Sequence, residues 1–443
     1  MTQADRTEPR QQPNSPRGVL AAVAESRFAL WVAFVLVHLW LGLVNLYGPG
    51  LPLGDVTIMY KFWSDQAFSA HYIVGIDGPF VYPIIGLVPM LLAAAFGASV
   101  YASTWLSLIM LLNAVALASL SGWGRARRNV TAGWWWTGFL LLLGPIALGR
   151  IDAVTVPLAV VGVLLLATRP VAASFVLTIA TWIKVWPAAL LAAIVIASRH
   201  RISVAGWAAI ASGAIIAIAL AYGSGLNVFS FITQQTGRGL QVEAPVSTIW
   251  LWLAAFGVPG AAVEYNLDIL TYQVTGPGAD AASTIMTAVL AIAALATAGL
   301  GIVAARRRVP ALDLLPVLSL ALVSCLIAFN KVGSPQFISW LAVPVVFGIV
   351  LAARGGISFR TPAILVLAIA VLTQTIYPYL YVWFLSLNPV LLVVGTVRNI
   401  LLLVVFGWAI SVLVQLAKLG NPDDDDPSSA AHDWPTAAWP LGR

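Results

Sequence analysis

The first apolar run and the turn that follows it decide the fold. Residues 27–47 read RFALWVAFVLVHLWLGLVNLY, and residues 49–65 read PGLPLGDVTIMYKFWSD. A helix of about 20 apolar residues is long enough to cross a bilayer, and the Pro- and Gly-rich stretch after it predicts a tight turn. The sequence therefore predicts a membrane span over 27–47, with the carboxylate of Asp55 in the turn that follows its C-terminal end.

The rest of the chain has the same apolar character. Of its 443 residues, 60% are hydrophobic and only 9% are charged, against about a quarter in soluble domains. These values predict an all-α, polytopic integral membrane protein. The basic residues occur in short clusters between apolar runs, which is typical of topology signals and does not favour a nucleic-acid partner. Cys325 is the single cysteine, so we expect neither a disulfide framework nor a cysteine metal site.

The apolar runs predict about 10 to 12 transmembrane helices in one domain, residues 27–416. We expect a disordered cytoplasmic N-terminus (1–26) before it and a disordered cytoplasmic tail (417–443), which contains DDDD at 423–426, after it. The candidate spans are 27–47, 101–121, 133–149, 153–168, 204–222, 283–304, 311–329, 336–353, 362–382 and 389–416. The basic clusters, which we place in the cytoplasm, are RARR at 125–128, Arg169, RHR at 199–201, RRR at 306–308, Arg354 with Arg360, and Lys418.

Two segments must be unusual for this topology to hold. Residues 80–97 are apolar but contain Pro83 and Pro89, and we expect an interfacial or re-entrant helix on the outer side. Residues 171–198 lie between two basic clusters, and we expect two short helices that turn at KVWP, residues 184–187.

With this topology, the isolated charges fall on the non-cytoplasmic side. An ionisable group at membrane depth costs roughly 2.5–3.5 kcal/mol on insertion scales and usually marks a pathway or a site, whereas exposed loop charges are often simply solvated. Several cations on one face suit a phosphate ligand better than a metal. The candidate phosphate-binding residues are Lys184, Lys331, Arg238 and Arg398, and the candidate substrate-binding residues are Asp77, Tyr82, Arg150, Asp152, Gln241, Glu243 and Gln336.

Asp55 is the candidate catalytic residue. A carboxylate partly withdrawn from water at the membrane surface suits a general base for an acceptor hydroxyl. The alternative is an N-cap of the following helix, since Asp is a favourable capping residue; Asp77, before Gly78-Pro79, is likewise open to interpretation as a turn residue. The spacing of His, Cys, Asp and Glu does not indicate a metal or another cofactor, although an oxygen-ligated Mg²⁺ or Mn²⁺ at Asp55 stays open.

An ordered series of motifs resembles glycosyltransferase family 87 of the GT-C superfamily, which includes polyprenol-phosphate-mannose-dependent α-mannosyltransferases. The motifs are GDVTIMY, VYPIIGLVP, PIALGRID, IKVWP, GRGLQVE and NKVGSPQFISWL, and the resemblance covers about residues 27–416. One motif departs from the family pattern: after the third span the family often has Gly-Gln with a following Asn, and this chain has Gly149, Arg150 and Asp152.

The resemblance implies a GT-C fold in the plasma membrane with an extracytoplasmic first loop, where Asp55 matches the catalytic carboxylate. It implies an inverting transfer of a sugar, most often mannose, from a polyprenyl-phosphate donor to an extracytoplasmic glycolipid or glycan. Lys184, Lys331 or Arg238 would match the cations at the donor phosphate.

Two other classes of function stay open. Broken helices and intramembrane cations are also typical of a transporter or flippase for a lipid-linked or small anionic substrate. Transporters commonly have two related halves, however, and no internal repeat is visible in this sequence. A non-catalytic scaffold for cell-envelope assembly would explain the spans but would not explain why the charged residues Lys184 and Arg398 interrupt apolar runs.

Overall fold

The computed structural model describes residues 23–122 and 130–420. This part of the chain is mostly helical, and eight of its helices are long and apolar enough to cross a membrane. The chain is therefore a multi-pass membrane protein, as the composition predicts. The predicted RARR cluster, residues 1–22 of the N-terminal segment and residues 421–443 of the tail, with DDDD, lie outside the described residues.

Eight of the ten candidate spans coincide with these long helices, because most of them end where charged or turn-forming residues interrupt the apolar run. The other two, 153–168 and 362–382, form the shorter helices Asp152–Leu165 and Arg360–Ile376. The α-helices are α1 (Arg27–Tyr47), α2 (Lys61–Asp65), α3 (Leu87–Ala93), α4 (Tyr101–Leu120), α5 (Val130–Leu143), α6 (Asp152–Leu165), α7 (Pro170–Ile183), α8 (Ala188–Ala197), α9 (Arg201–Ala221), α10 (Ser230–Thr236), α11 (Thr248–Ala255), α12 (Ala279–Arg306), α13 (Ala311–Ala328), α14 (Ala342–Ala352), α15 (Arg360–Ile376), α16 (Tyr381–Leu385) and α17 (Pro389–Leu419).

The predicted break at residues 184–187 is present between α7 and α8. Each of these helices is too short to cross a bilayer alone, since 14 residues of α-helix extend only ~21 Å. The Ser174 hydroxyl donates to the Val204 carbonyl at 2.7 Å, so α7 and α9 begin side by side. The helix pair α7–α8 therefore starts and ends at the same end of the bundle, as the basic clusters on either side of it require.

The proline-interrupted segment 80–97 is also short. A 3-10 turn at Ile84–Gly86 leads into α3, and the Met90 carbonyl accepts hydrogen bonds from Ser64 Oγ at 3.0 Å and from Tyr101 Oη at 3.1 Å. The segment is thus held between α2 and the start of α4. Its length fits the expected interfacial element and excludes a full span.

The all-α prediction missed one β-hairpin. Strands β1 (Ala262–Asn266) and β2 (Thr271–Thr275) pair antiparallel, and residues 240–242 lie along the other edge of β2 through the bonds Val242 N to Tyr272 O and Val274 N to Leu240 O. The amide of Gln241 donates to the Lys331 carbonyl at 3.0 Å. Residues 223–282, which we call the outer loop after the side on which the charge pattern predicts it, are therefore attached to the bundle by backbone hydrogen bonds and contain the short helix α11.

Because successive helices run in opposite directions, the charged residues gather at the two ends of the bundle. At one end, which we call the basic end, Arg307 donates to the Ala417 carbonyl and the Ile357 amide donates to Asp313. At the other, which we call the site end, Asn45 donates to the Pro145 carbonyl and Arg150 to the Pro52 carbonyl. The basic end carries Arg169, residues 199–201 and 306–308, Arg354, Arg360 and Lys418; the site end carries Asp55, Arg150, Asp152, Lys184, Arg238, Glu243 and Lys331.

Candidate active site

Asp55 opens the site as the first residue of a π-helix, Asp55–Tyr60. Its side chain is 43% exposed, and its Oδ2 lies 3.0 Å from Arg150 Nε. The N-cap position belongs to Gly54 and makes no side-chain capping bond. Asp55 is therefore an accessible, ion-paired carboxylate, and the capping interpretation does not describe it.

Arg150 is fixed by the protein on almost every side. Its Nη1 donates to the carbonyls of Pro52 (2.7 Å) and Gly149 (2.8 Å), and its Nη2 donates to the Tyr377 hydroxyl (2.7 Å). Together with the Asp55 pair, these contacts occupy four of the five N–H donors of a guanidinium. Burial by itself lowers the pKa of Arg150, but the Asp55 carboxylate and the nearby tyrosine hydroxyls together outweigh it, and the pKa is raised. Arg150, predicted to bind substrate, is thus placed to orient Asp55.

Asp152 holds Lys184 in a similar way. Asp152 is buried; its Oδ2 lies 2.8 Å from Lys184 Nζ, and its Oδ1 accepts a 2.6 Å hydrogen bond from Trp340 Nε1. Both carboxylate oxygens are occupied, which leaves little of Asp152 for a substrate. An ammonium has three donors, of which this pair uses one, so Lys184 keeps donors for a ligand.

Aromatic rings surround the Lys184 ammonium. Its Nζ lies 4.9 Å from the ring centroid of Phe337, 5.6 Å from that of Tyr82 and 5.7 Å from that of Trp340. Trp186 stacks on Trp340 with centroids 5.5 Å apart. Ring faces stabilise a cation in a water-poor environment, and the stack fixes the wall on which Lys184 rests.

Two tyrosines join Asp55 to Lys184. The hydroxyls of Tyr60 and Tyr82 lie 3.4 Å apart, and the Ile151 amide donates to Tyr60. Burial raises the pKa of Tyr82, and the Asp55 carboxylate raises it further, so its hydroxyl stays neutral. Arg150, which pairs with Asp55, and Asp152, which pairs with Lys184, lie only two residues apart, so the carboxylate and the ammonium belong to one site.

A second, buried cluster lies at the same end. Glu243 pairs with Arg398, both side chains being only 4% exposed. Arg398 also donates to Asn399 Oδ1 at 3.1 Å and to the Glu243 carbonyl at 3.3 Å, and Asn399 donates to Thr248. Arg398, predicted to bind phosphate, is therefore engaged by the protein, and the cluster attaches residues 243–248 to α17.

The two remaining predicted phosphate ligands also lie at the site end. Arg238 donates to the Gln234 carbonyl at 3.3 Å, and burial lowers its pKa. Lys331 is nearly buried, which lowers its pKa, and its carbonyl holds the buried Gln241.

The last two candidates have local contacts. Asp77 Oδ2 accepts a 2.6 Å hydrogen bond from the Ile73 amide, which matches its interpretation as a turn residue. Gln336 is buried in the 3-10 helix Pro335–Leu341, and its carbonyl accepts a hydrogen bond from Ser339. Gln336 precedes Phe337, which faces Lys184.

Sequence reasoning missed four aromatic residues of the site. Tyr60, Phe337 and Trp340 lie inside the motifs GDVTIMY and NKVGSPQFISWL, but no charge distinguishes them from the many other aromatic residues. Tyr377 lies in TIYPYL, residues 375–380, outside every motif. Its role becomes visible only through its hydrogen bond with Arg150.

Within residues 23–122 and 130–420, no three or more His, Cys, Asp and Glu side chains gather into a group that would hold a metal ion. Comparisons with protein-family models, with characterised proteins and with solved structures found no match for this chain.

Proposed function

We propose that this chain is an integral membrane glycosyltransferase with a GT-C fold. It moves a sugar, mannose in the first instance, from a polyprenyl-phosphate donor to an extracytoplasmic glycolipid or glycan. The observation that carries the proposal is the accessible Asp55 carboxylate, held by Arg150 beside an aromatic-walled Lys184. The ordered motifs and their resemblance to glycosyltransferase family 87 support it.

In this mechanism Asp55 acts as the general base. It takes the proton from an acceptor hydroxyl while the hydroxyl oxygen attacks the anomeric carbon. The bond from that carbon to the phosphate oxygen breaks on the opposite face, and its electron pair leaves with the phosphate. The configuration inverts, so a β-linked sugar phosphate gives an α-glycoside.

Lys184 stabilises the departing phosphate. Aromatic rings surround its ammonium, so water competes weakly there and a fixed charge is most effective. Arg238, which also lies at the site end, adds a second cation. Arg150 and Asp152 do not touch the reacting atoms in this scheme; they hold the base and the ammonium in place.

The position of the site end suits a lipid-linked phosphate. Ala417 lies at the basic end of α17, next to Arg307, and about 20 residues of helix cross the hydrocarbon core. The core therefore ends near residue 397, just where Arg398 meets Glu243. A donor whose tail lies in the bilayer would present its phosphate at this level, on what we propose is the extracytoplasmic face of the plasma membrane.

A transporter or flippase is the second candidate function. The observation that favours it is the break between α7 and α8, with Lys184 directly at the break, since broken helices commonly line transport sites. The two functions differ in outcome: a transferase forms a new glycosidic bond, whereas a transporter releases its substrate unchanged.

The deciding experiment uses the full chain in nanodiscs with radiolabelled polyprenyl-phosphate-mannose and an oligomannoside acceptor. Asp55→Asn is compared with wild type and with Asp65→Asn. Asp65 is a matched control because it is also exposed and also pairs with a cation, Lys61, at 2.6 Å. We expect wild type and Asp65→Asn to transfer mannose, and Asp55→Asn to lose about 100-fold or more of the rate, as removal of a general base does.

Transfer that survives in a folded Asp55→Asn protein would contradict the assignment of the base. Failure of wild type to form product from any lipid-linked sugar, together with flipping of that lipid in reconstituted vesicles, would favour the transporter.

A further inference from the structure

The segment that joins α5 to α6, residues 145–151, is held by side chains from other parts of the chain. The indole Nε1 of Trp105, in α4, donates to the Leu148 carbonyl at 2.9 Å. The Ile151 amide donates to the Tyr60 hydroxyl at 3.1 Å. Buried backbone groups outside regular helices need such partners. The stretch from Leu148 to Ile151 is therefore fixed at both ends by aromatic side chains that come from outside it.

The two aromatic residues that hold this stretch also contact each other. The rings of Trp105 and Tyr60 have centroids 5.4 Å apart and are tilted by 51°. Both side chains are buried, Trp105 completely. Tyr60 ends the π-helix that begins with Asp55. Trp105 therefore packs against the element that carries the proposed base and also holds the stretch Leu148–Ile151 by a hydrogen bond.

This stretch determines where the two reactive groups of the site lie. Arg150 directly precedes Ile151 and holds the Asp55 carboxylate, with Nε 3.0 Å from Oδ2. Asp152 directly follows it and holds the Lys184 ammonium, with Oδ2 2.8 Å from Nζ. Because one short backbone stretch carries both holding residues, a displacement of that stretch would move the base and the ammonium together.

We propose that Trp105 is a positioning residue of the site. Through the Leu148 carbonyl and the Tyr60 ring it fixes the backbone on either side of Ile151, and with it the distance between the base and the phosphate-binding ammonium. Trp105 is fully buried, so it acts through these neighbours and does not touch the substrate. This inference rests on the proposed glycosyl transfer, for which it names a further residue on which the rate depends.

The test compares Trp105→Phe with wild type and with Trp135→Phe, in steady-state transfer of mannose from polyprenyl-phosphate-mannose by the full chain in nanodiscs. Phenylalanine keeps an aromatic ring at position 105 but cannot donate to Leu148. Trp135 is the matched control, because its Nε1 also donates to a backbone carbonyl, that of Ala363 at 3.2 Å, but at the basic end of the bundle.

We expect kcat of Trp105→Phe to fall about 10- to 100-fold, since small displacements of reacting groups have effects of this size. KM should stay near its wild-type value, because no contact with the substrate is removed. Trp135→Phe should keep the kcat and KM of wild type, even if the lost hydrogen bond lowers its unfolding temperature as much as in Trp105→Phe.

A second variant tests whether the effect passes through the stretch Leu148–Ile151. Tyr60→Phe keeps the ring beside Trp105 but removes the hydroxyl that accepts from the Ile151 amide. We expect a similar fall in kcat. If both residues act on the same stretch, the double variant should lose little more than the larger single loss, because the effects of coupled positions do not add.

Three results would overturn the proposal: a folded Trp105→Phe with the wild-type kcat, a rise in KM without a fall in kcat, or equal falls in kcat for Trp105→Phe and Trp135→Phe. The last would mean that a general loss of stability lowers the rate. If Trp105→Phe does not fold, Tyr60→Phe decides, and a wild-type kcat in that variant contradicts the proposal. Absence of transfer by wild type is a different outcome: it contradicts the glycosyltransferase itself, and the positioning role falls with it.

Discussion

At the scale of single residues, the charges of the site end divide into two groups that look alike in sequence. In Arg150, Asp152 and Arg398, most of the hydrogen-bonding atoms are engaged by other groups of the protein. Asp55 and Lys184 are each held by one of these charges and keep an accessible side. The positioning residues are therefore as charged as the residues that they position, and only the contacts tell them apart.

Tyr377 is the residue at which this division is most easily tested. Tyr377→Phe keeps the ring beside Arg150, with the guanidinium carbon 5.7 Å from its centroid, but removes the hydroxyl that anchors Nη2. A hydrogen bond to a charged group contributes about 1.5–3 kcal/mol, so we expect kcat for sugar transfer to fall roughly 10- to 100-fold. KM should change little, because Arg150 orients the base and does not bind the substrate.

Steady-state kinetics of transfer check this prediction, with Tyr379→Phe as control. Tyr379 lies two residues away and is 38% exposed, so its hydroxyl should be dispensable. A change in KM alone for Tyr377→Phe would instead return Arg150 to the group of substrate-binding residues.

The candidate residues could be predicted from sequence, but their pairing could not. Asp55, Arg150, Asp152 and Lys184 stand out because each is a charge among apolar neighbours, and insertion cost makes such charges informative. That Arg150 meets Asp55, and Lys184 meets Asp152, depends on how α1, α6 and α7 pack. No local pattern encodes such contacts between distant segments.

At the scale of elements, the sequence predicted where helices end better than it predicted the β-hairpin. The end of α7 could be predicted because Pro187 cannot continue a helix and a charge precedes it in an apolar run. The hairpin β1–β2 could not, because its strands have five residues each and their turn, residues 267–270, reads LDIL without glycine. Its stability comes from tertiary contacts, including the pairing of residues 240–242 with β2.

Gly333 connects the loop to the bundle at the backbone level. A Cβ at this position would overlap the backbone atoms of Glu243 and Ala244. We expect Gly333→Ala to lower the free energy of unfolding by about 1–3 kcal/mol, the usual cost of overpacking. Thermal unfolding in nanodiscs, followed by circular dichroism, measures the change.

Gly299→Ala is the matched control for this variant. Gly299 lies inside α12, and no atom lies within 4 Å of the position that an added methyl group would take. Alanine is also the better helix former by about 1 kcal/mol. We expect this variant to unfold at the wild-type temperature or slightly above it. Equal unfolding temperatures for the two alanine variants would show that the backbone of Glu243 and Ala244 can move away from residue 333, and that the loop is not rigidly attached there.

At the scale of the whole molecule, the ordering of charges by end is the dominant feature. Arginine and lysine clusters at the basic end indicate the cytoplasmic side, while the acid–base pairs at the site end are buried or half-buried between helices. In this orientation the proposed chemistry would take place on the outer face of the membrane.

Two serines test this sidedness with minimal change. Ser69 lies at the site end, in the helical turn Gln66–Ala70 that follows α2, and Ser358 lies at the basic end, between α14 and α15; neither is buried. In a Cys325→Ser background, which removes the single buried thiol, each serine is changed to cysteine. We expect a membrane-impermeant maleimide to label Ser69→Cys in intact cells and Ser358→Cys only after permeabilisation.

The reverse pattern would put Asp55 in the cytoplasm and contradict the extracytoplasmic transferase, since the donor phosphate would then be presented on the wrong face. Labelling of both cysteines in intact cells would contradict the separation of the two ends by the bilayer. The expected pattern would leave Asp55 and Lys184 outside and the basic clusters inside, so that the same charges that orient the chain also determine which face of the membrane supplies its substrates.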